Sequence, residues 1–529
     1  MSNENEQPTI KLRVADMAYG GDAVGRDPET GMTVFAWPAI QGEEVGVTVT
    51  GRTKTMLRAV VDDIVEASPA RVTPPCPYFG TCGGCQWQHI EYGAQVEFKH
   101  NILRSQLSRL GGIAEPDAIL QPALPSPTPY NYRNTSHFAL DPVSSSLAYY
   151  RRETHKLTPV VQCPISNEGI NRVMTFVNGL LAESYSDVAP LPTDARGVMH
   201  VWKVTIRASE ATGHTLIIFH SLAGGAEVRP KLFQRRGSRI AARETSGQKD
   251  VASIVGDQPE AAQVIPLHRR AIRRALGNLS NAAGMPSALL AIEVMADGTI
   301  NRLGETRGST NAASEAMADA VSGGLLAMPR GAATEAEKPP IGAWIERLGK
   351  QTYWVGPTAF FQTNTPAAEL MLREIQQHLP SKMGMLVDAH AGVGTFALAF
   401  ASRARHVLAF EPDAGAVNSG QWTARSSHIS NVEFHKGTAE ALLPQLAGEL
   451  QPQVIILDPP RNGCHPALIA EIARRKIPRL IYVSCDPSTL ARDIKLLSGT
   501  YKLTSARVVD VFPQTYHIET VAVLDLIEP

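Results

Sequence analysis

VDAHAGVGTF, residues Val387–Phe396, is the stretch whose reading decides the fold. The apolar run that leads into it, MGMLV, has the character of a buried strand, and Asp388 stands at its end. Gly392 and Gly394 give the following turn a backbone that can approach a ligand closely, and a helix begins beyond it. The third glycine of the dinucleotide-binding fingerprint is missing. Towards the C-terminus the same grammar repeats: ARHVLAFEPD, VEFHKG, PQVIILDPP and RLIYVSCDP are strand-like, with helical patterns between several of them. Residues 501–510 and 519–527 supply two closing strands, joined by DVFPQTYH. From about residue 383 the alternation predicts a mostly parallel, doubly wound sheet. Such sheets bind ligands beyond the carboxyl ends of their strands, so the residues at those ends are the candidates for function.

Towards the N-terminus the grammar differs. A chain of 529 residues exceeds one hydrophobic core, so several domains are expected. Residues 8–67 read as short strands separated by Gly-rich turns such as YGGDAVGRDPETG, which predicts a small barrel of OB type. Residues 69–87 hold Cys76, Cys82 and Cys85, spaced C-x5-C-x2-C, among several prolines. Residues 91–111 look helical, and 130–220 are β-rich again, with Cys163 in VVQCPI. Two polar, Ala/Gly-rich stretches, near 225–262 and 305–340, read as insertions. Residues 225–275 carry eleven Lys or Arg against five acids; a solvated surface insertion accounts for that, with an RNA contact as the alternative.

The 43% apolar and 19% charged fractions are those of a soluble globular protein, and a net charge of −1 argues against an indiscriminate nucleic-acid binder. No apolar run is long enough to span a bilayer, and MSNENEQPTI lacks the features of a signal peptide, so a cytoplasmic location and no membrane partner are expected. In that compartment clustered cysteines bind metal or do redox chemistry rather than form structural disulfides.

Four strand ends carry chemistry. Glu411 ends the strand after the glycine turn, where an acid can accept hydrogen bonds from both hydroxyls of a ribose. Asp458 ends the next central strand in ILDPPRNG, where two prolines stiffen the loop. Cys485, in SCDPSTLARD, lies between a strand and a helix start; the helix N-terminus is expected to lower its pKa. Glu519, two residues after His517 in VFPQTYHIET, would give that thiol a base. A plain turn at Asp458 and an inert buried thiol at Cys485 are the bland alternatives.

Together these motifs resemble the RNA uracil-5 methyltransferase family (TrmA/RumA type). The resemblance is nearest to the iron–sulfur branch that carries a TRAM domain and modifies 23S rRNA. The GGDAVGR turn, VFAWPAIQGEEV and SPARVTPPC match the TRAM part, and D-x-x-x-G-x-G resembles motif I of class I S-adenosylmethionine (SAM) methyltransferases. The resemblance implies a multidomain α/β protein. Residues 1–68 would form a TRAM barrel, 69–350 a central α+β iron–sulfur and RNA-binding domain, and 351–529 a Rossmann-like methyltransferase domain. It implies Cys485 as nucleophile, Glu519 as base, and Gln362, His390, Thr395, Glu411 and Asp458 as cofactor or substrate contacts. Cys76, Cys82, Cys85 and Cys163 would ligate a [4Fe-4S] cluster, SAM would be the methyl donor, and the partner would be RNA, 23S rRNA before tRNA, with no obligate protein partner. Two departures stand out. His390 and Ala391 replace the usual aromatic and cysteine of motif I, where an imidazole could still pack. Asn131 replaces a common glycine, which predicts only a local backbone change.

Rival readings follow from the same residues. Four thiols also satisfy tetrahedral zinc, and spacing alone does not choose. A radical-SAM enzyme would need C-x3-C-x2-C, which is not present. An RNA cytosine-5 methyltransferase would use a second active-site thiol, for which Cys464 stands near, although a small semi-buried role for Cys464 is the simpler expectation. A non-catalytic RNA-binding factor would be favoured only by the altered motif I.

Overall fold

The computed structural model describes residues 9–186, 198–222, 265–279, 288–306, 340–447 and 450–527. The expected insertion at 225–262, and nearly all of that at 305–340, lie outside the described residues.

Five strands, β1 (Thr9–Met17), β2 (Ala23–Arg26), β3 (Thr33–Trp37), β4 (Glu44–Arg52) and β5 (Met56–Glu66), close into a barrel of order β1-β2-β3-β5-β4. Alternation turns Leu12, Val14, Val34, Val45, Val47 and Leu57 inward. The small barrel expected from the sequence is present. Helix α1 (Tyr92–Arg109) follows the cysteine segment, with Glu91 capping it by accepting from the Ala94 N–H at 3.0 Å.

The central layer is an eight-stranded sheet made of β6 (Thr135–Asp141), β7 (Ser146–Tyr150), β8 (Leu157–Pro159), β9 (Val198–Ala208), β10 (His214–Ser221), β11 (Ile265–His268), β12 (Ala288–Met295) and β13 (Ile300–Glu305). Helices α2 (Glu168–Ser186) and α3 (Arg269–Leu279) cover one face through Ile170, Val177, Ile272 and Leu276. Part of the basic stretch is therefore structural. Arg269 pairs with the buried Glu293 at 2.9 Å, and Arg273 donates to the Leu303 carbonyl at 2.9 Å. Asn131 adopts φ +54°, the left-handed region that a glycine would occupy without cost, so the substitution is the local change expected.

A hairpin, β14 (Trp344–Leu348) and β15 (Gln351–Val355), leads to α4 (Thr365–His378) and the C-terminal unit. There β16 (Met383–Asp388), α5 (Thr395–Ala399), β17 (Ala404–Glu411), α6 (Ala414–Ser426), β18 (Val432–Lys436), α7 (Ala439–Leu442), β19 (Val454–Leu457), α8 (Pro466–Arg475), β20 (Arg479–Ser484), α9 (Pro487–Leu497), β21 (Tyr501–Val509) and β22 (Glu519–Leu526) follow in sequence. The sheet order is β18-β17-β16-β19-β20-β22-β21, parallel from β18 to β20, with β22 antiparallel to both neighbours. The chain reverses direction across the sheet between β16 and β19, which opens the crevice where such folds bind ligands. Because β22 runs backwards, its first residue comes to the same edge as the last residues of β16, β19 and β20. One apolar core runs from Leu12 and Val47 of the barrel through Leu103 and Leu107 of α1 to Leu457, Leu480 and Leu490, so barrel, helix and C-terminal sheet share packing.

Candidate active site

The nucleophile candidate is set by β20 and α9. Cys485 is the residue between them, and Asp486 caps α9 by accepting from the N–H groups of Ser488 (2.9 Å) and Thr489 (3.0 Å). Ser484 is paired with Thr520 across β20 and β22, which sets Cys485 next to Glu519. Asp458 follows β19, the other neighbour of β20.

The electrostatics of this edge correct one expectation. The Cys485 thiol is not made acidic by the helix: burial pushes it up to about 12, the charges of Glu519 and Asp458 add to that, and Arg461 opposes them. The Asp486 cap adds a smaller contribution of the same sign, since it answers the helix N–H groups with a carboxylate beside the thiol. Burial, with Asp458 adding, also holds the Glu519 carboxyl well above the usual range, and burial alone lifts Asp458 to about 7. Three acids thus crowd one cleft, and the exposed Arg461 is the cation at its rim. Arg461 Nη2 lies 3.2 Å from Nδ1 of His517, whose pKa burial lowers to about 3.

The glycine turn forms the second half. Gly394 has φ +85°, and a Cβ there would sit 2.6 Å from the Phe434 ring, so only glycine fits. Asp388 Oδ2 accepts from the Ala397 N–H at 2.9 Å, while its buried Oδ1 has no hydrogen-bond partner among the described residues. Burial raises Asp388 to about 7. Glu411 accepts from the N–H groups of Gly392 and Asp413, each at 2.8 Å, and so ties the strand end to the turn. His390 packs where an aromatic is usual. Its Nδ1 accepts from the Asp458 N–H at 3.4 Å, and burial lowers its pKa to about 4, so the ring is neutral. Thr395 opens α5, and its carbonyl accepts from the Tyr353 hydroxyl at 3.1 Å. Gln362 lies on the loop before α4, where its carbonyl accepts from Asn134 of the central layer at 3.0 Å.

The loop that carries His517 and Glu519 is gripped from outside the sheet. Lys99 of α1 donates to Asp510 Oδ1 (2.6 Å) and to the Phe512 carbonyl (2.9 Å). Tyr132 donates to the Pro513 carbonyl at 3.0 Å, and the N–H groups of Gln86 and Trp87 donate to the Gln514 carbonyl at 3.1 and 3.0 Å. Sequence reasoning missed Lys99, Asp510 and Tyr19 of the barrel. Nothing local in their neighbourhoods signals them.

Cys464 is 4% exposed; its backbone N–H donates to Asp493, and burial pushes its thiol up to about 12. It is a core residue, buried more deeply than the semi-buried role expected. The other four cysteines line one cavity of about 240 Å³ between the cysteine segment and the central sheet, together with His137 and Tyr149. Burial raises the thiol pKa values of Cys76, Cys82 (to about 11) and Cys85, and their neighbouring thiols add to it. The Gly84 N–H donates to Cys82 Sγ at 3.4 Å. Among the described residues no three His, Cys, Asp or Glu side chains form a group that could hold a metal ion.

The sheet order and the acid-flanked glycine turn at the switch point define a class I SAM-dependent methyltransferase. Residues 348–526 match the family model described as tRNA (uracil-5-)-methyltransferase. An uncharacterised RNA methyltransferase of Synechocystis sp. is 29% identical over 522 residues, covering 97% of this chain and 95% of that protein. Another, from Listeria monocytogenes, is 29% identical over 526 residues, covering 98% of each. The solved structure of Pyrococcus abyssi tRNA (uracil-54, C5)-methyltransferase in complex with S-adenosyl-L-homocysteine aligns with a TM-score of 0.59 at 20% identity, over 98% of this chain and 99% of that one, and shares its fold. The C-terminal part of the chain, residues 348–526, is thus similar to the RNA uracil-5 methyltransferase family, and the full-length relatives are named RNA methyltransferases.

Proposed function

We propose that this methyltransferase forms 5-methyluridine through a covalent adduct with Cys485, and that its substrate is 23S rRNA. The observation that carries the chemistry is the strand register that sets Cys485 beside Glu519, with Asp458 on the neighbouring strand end.

C5 of uracil is a poor nucleophile towards a sulfonium methyl group. Addition of the Cys485 thiolate to C6 forms an S–C6 bond and pushes electrons to C5 and O4. C5 then attacks the methyl group of SAM, and S-adenosylhomocysteine leaves. The adduct retains its original hydrogen on C5. Glu519, ionised at that stage, takes it as a proton while the S–C6 bond breaks, which restores the ring double bond and the thiolate. A carboxylate made more basic by burial suits proton removal from carbon, and the positive Arg461 offsets the charge that develops on the sulfur and the ring. The target base must leave its stack to reach this cleft. The buried Cys464 offers no second thiol, which favours uracil over cytosine.

The four thiols around one cavity support the reading of an iron–sulfur cluster. Zinc is the rival occupant, since four thiols also satisfy a tetrahedral zinc ion. The family resemblance favours a [4Fe-4S] core over zinc, with Cys76, Cys82, Cys85 and Cys163, which line one cavity, as its ligands. The cluster would then supply a rigid cross-link, since methyl transfer from SAM needs no electron. The four-cysteine set and the TRAM-like barrel go with the 23S rRNA branch in the resemblance, and the cysteine chemistry suits the reducing cytoplasm. A tRNA uridine is the second reading, because the Pyrococcus protein of the same fold acts on tRNA.

The test supplies tritiated SAM and unmodified total RNA, then separates the RNA and digests it to nucleosides. Label in 5-methyluridine of 23S rRNA is expected. Label in tRNA replaces the first substrate by the second, and label in 5-methylcytidine refutes the reaction. Cys485→Ala should abolish transfer, and Glu519→Gln should trap a covalent protein–RNA adduct. Iron and acid-labile sulfide in anaerobically purified protein are expected; zinc in their place would overturn the cluster.

A further inference from the structure

We propose that Tyr19, a side chain of the N-terminal barrel, is a positioning residue for both catalytic loops of the methyltransferase site. The proposal rests on the reading of Cys485 and Glu519 as the reacting pair.

Tyr19 stands in the turn between β1 and β2. The turn is fixed from several sides. The Ala18 N–H donates to the Asp22 carbonyl at 2.8 Å, and the buried Trp87 indole donates to the Gly21 carbonyl at 3.1 Å. Asp22 is paired with Arg152 at 2.5 Å, and the guanidinium of Arg152 lies 4.6 Å from the Trp37 ring. From this base the Tyr19 side chain reaches two loops at once. Its hydroxyl donates to Asp486 Oδ2 at 3.0 Å, 467 residues away in the chain. Its ring meets the Tyr516 ring edge-on, with centroids 5.9 Å apart and planes at 83°. Tyr516 in turn packs on His517 at 4.4 Å, and the loop continues to Glu519. The fit is close, because a Cβ on Gly21 would come within 3.0 Å of the Tyr516 ring.

The chemistry at Asp486 gives the contact its consequence. Oδ1 of Asp486 is used by the N–H groups of Ser488 and Thr489. Oδ2 is the oxygen that Tyr19 serves, and it belongs to the residue after the nucleophile. The charged groups that face Cys485 are Glu519 from β22, Asp458 from β19, Arg461 from the loop after it, and Asp486 from its own loop. A phenol donating to Asp486 draws that negative charge away from the thiol. Its loss returns the charge to the neighbourhood of Cys485 and makes the thiolate harder to form. The ring does a separate task, holding the loop that ends at the base.

The two contributions are separable in the full-length protein. Tyr19→Phe removes the hydroxyl and keeps the ring; Tyr19→Ala removes both. Alkylation of Cys485 by iodoacetamide, read on its own peptide by mass spectrometry across a range of pH without RNA, reports the thiol directly. Tyr19→Phe should slow alkylation about threefold at mildly alkaline pH, the equivalent of roughly half a pH unit. It should also lower kcat for 5-methyluridine formation with KM for RNA unchanged. Tyr19→Ala should lower kcat further. A Tyr19→Phe alkylation profile that superimposes on that of the unaltered protein would overturn the proposal. Should the unaltered protein form no 5-methyluridine, the proposed function fails, while the alkylation comparison still decides whether Tyr19 tunes the thiol.

Discussion

Replacing Lys99 by Met should loosen the catalytic loop more than it disturbs the rest of the fold. Lys99 is fully buried, as is Asp510, and their 2.6 Å contact is supplemented by the bond from Lys99 to the Phe512 carbonyl. Methionine matches the lysine stem in length, so packing is nearly kept. What is lost is the partner of a buried carboxylate and the donor to a loop carbonyl. An orphaned buried charge costs about 3–5 kcal/mol. The Tyr92 hydroxyl, which donates to Asp510 at 2.9 Å, still serves it and keeps the effect within that range. In the opening equilibrium of residues 510–519 this is a factor of about a hundred to a few thousand. Hydrogen exchange of the peptide spanning that loop is the assay, read beside a distant control such as β9. Adding Asp510→Asn removes the charge but keeps an acceptor for Tyr92, so Lys99→Met/Asp510→Asn should recover all but about 1–2 kcal/mol. Single and double variants with equal protection, or a Lys99→Met loop within about 1 kcal/mol of the unaltered one, would refute the argument that this pair holds the base in place.

Three further outcomes follow from the site. The thiolate is the reactive form, and raising its pKa to about 12 shrinks its share at every lower pH. Cys485 alkylation in the free protein should therefore climb about tenfold per pH unit from neutrality upward, and a plateau before strongly alkaline pH would contradict the crowded-acid picture. Cys464→Ala should leave 5-methyluridine formation within about twofold of normal, because the buried thiol serves packing; a large loss of kcat would reopen the cytosine-type mechanism. Gly394→Ala drives a methyl group into Phe434 at a backbone angle that favours glycine, and should weaken SAM binding by about tenfold or more in calorimetry.

The parts of this molecule that were legible in the sequence are those whose cause is local. Asp388, Glu411, Asp458 and Cys485 were found because each ends an apolar run, and a doubly wound sheet brings the ends of parallel strands to one edge. Glu519 joined them because an antiparallel last strand begins where its neighbour ends. The strands β11, β12 and β13 were not read, although ALLAIEVM is a plain buried-strand pattern, because they lie beside the Arg-rich and Ala/Gly-rich stretches that drew the reading towards loops. The acidity of Cys485 was misjudged for a different reason. The helix after it was correctly expected, but burial of the thiol and the charges of Glu519 and Asp458 outweigh the helix, and Asp486, which answers the helix N–H groups, adds to them. Lys99 and Tyr19 were invisible because their partners lie 411 and 467 residues away, and no periodicity encodes a contact of that span. Those long contacts all converge on the loops of Cys485 and Glu519. The sheet therefore explains why the reacting groups share an edge, while the barrel, α1 and the cysteine segment explain how they are held there. A separated C-terminal domain would keep the residues of the chemistry and lose Lys99, Trp87 and Tyr19, which fix their loops.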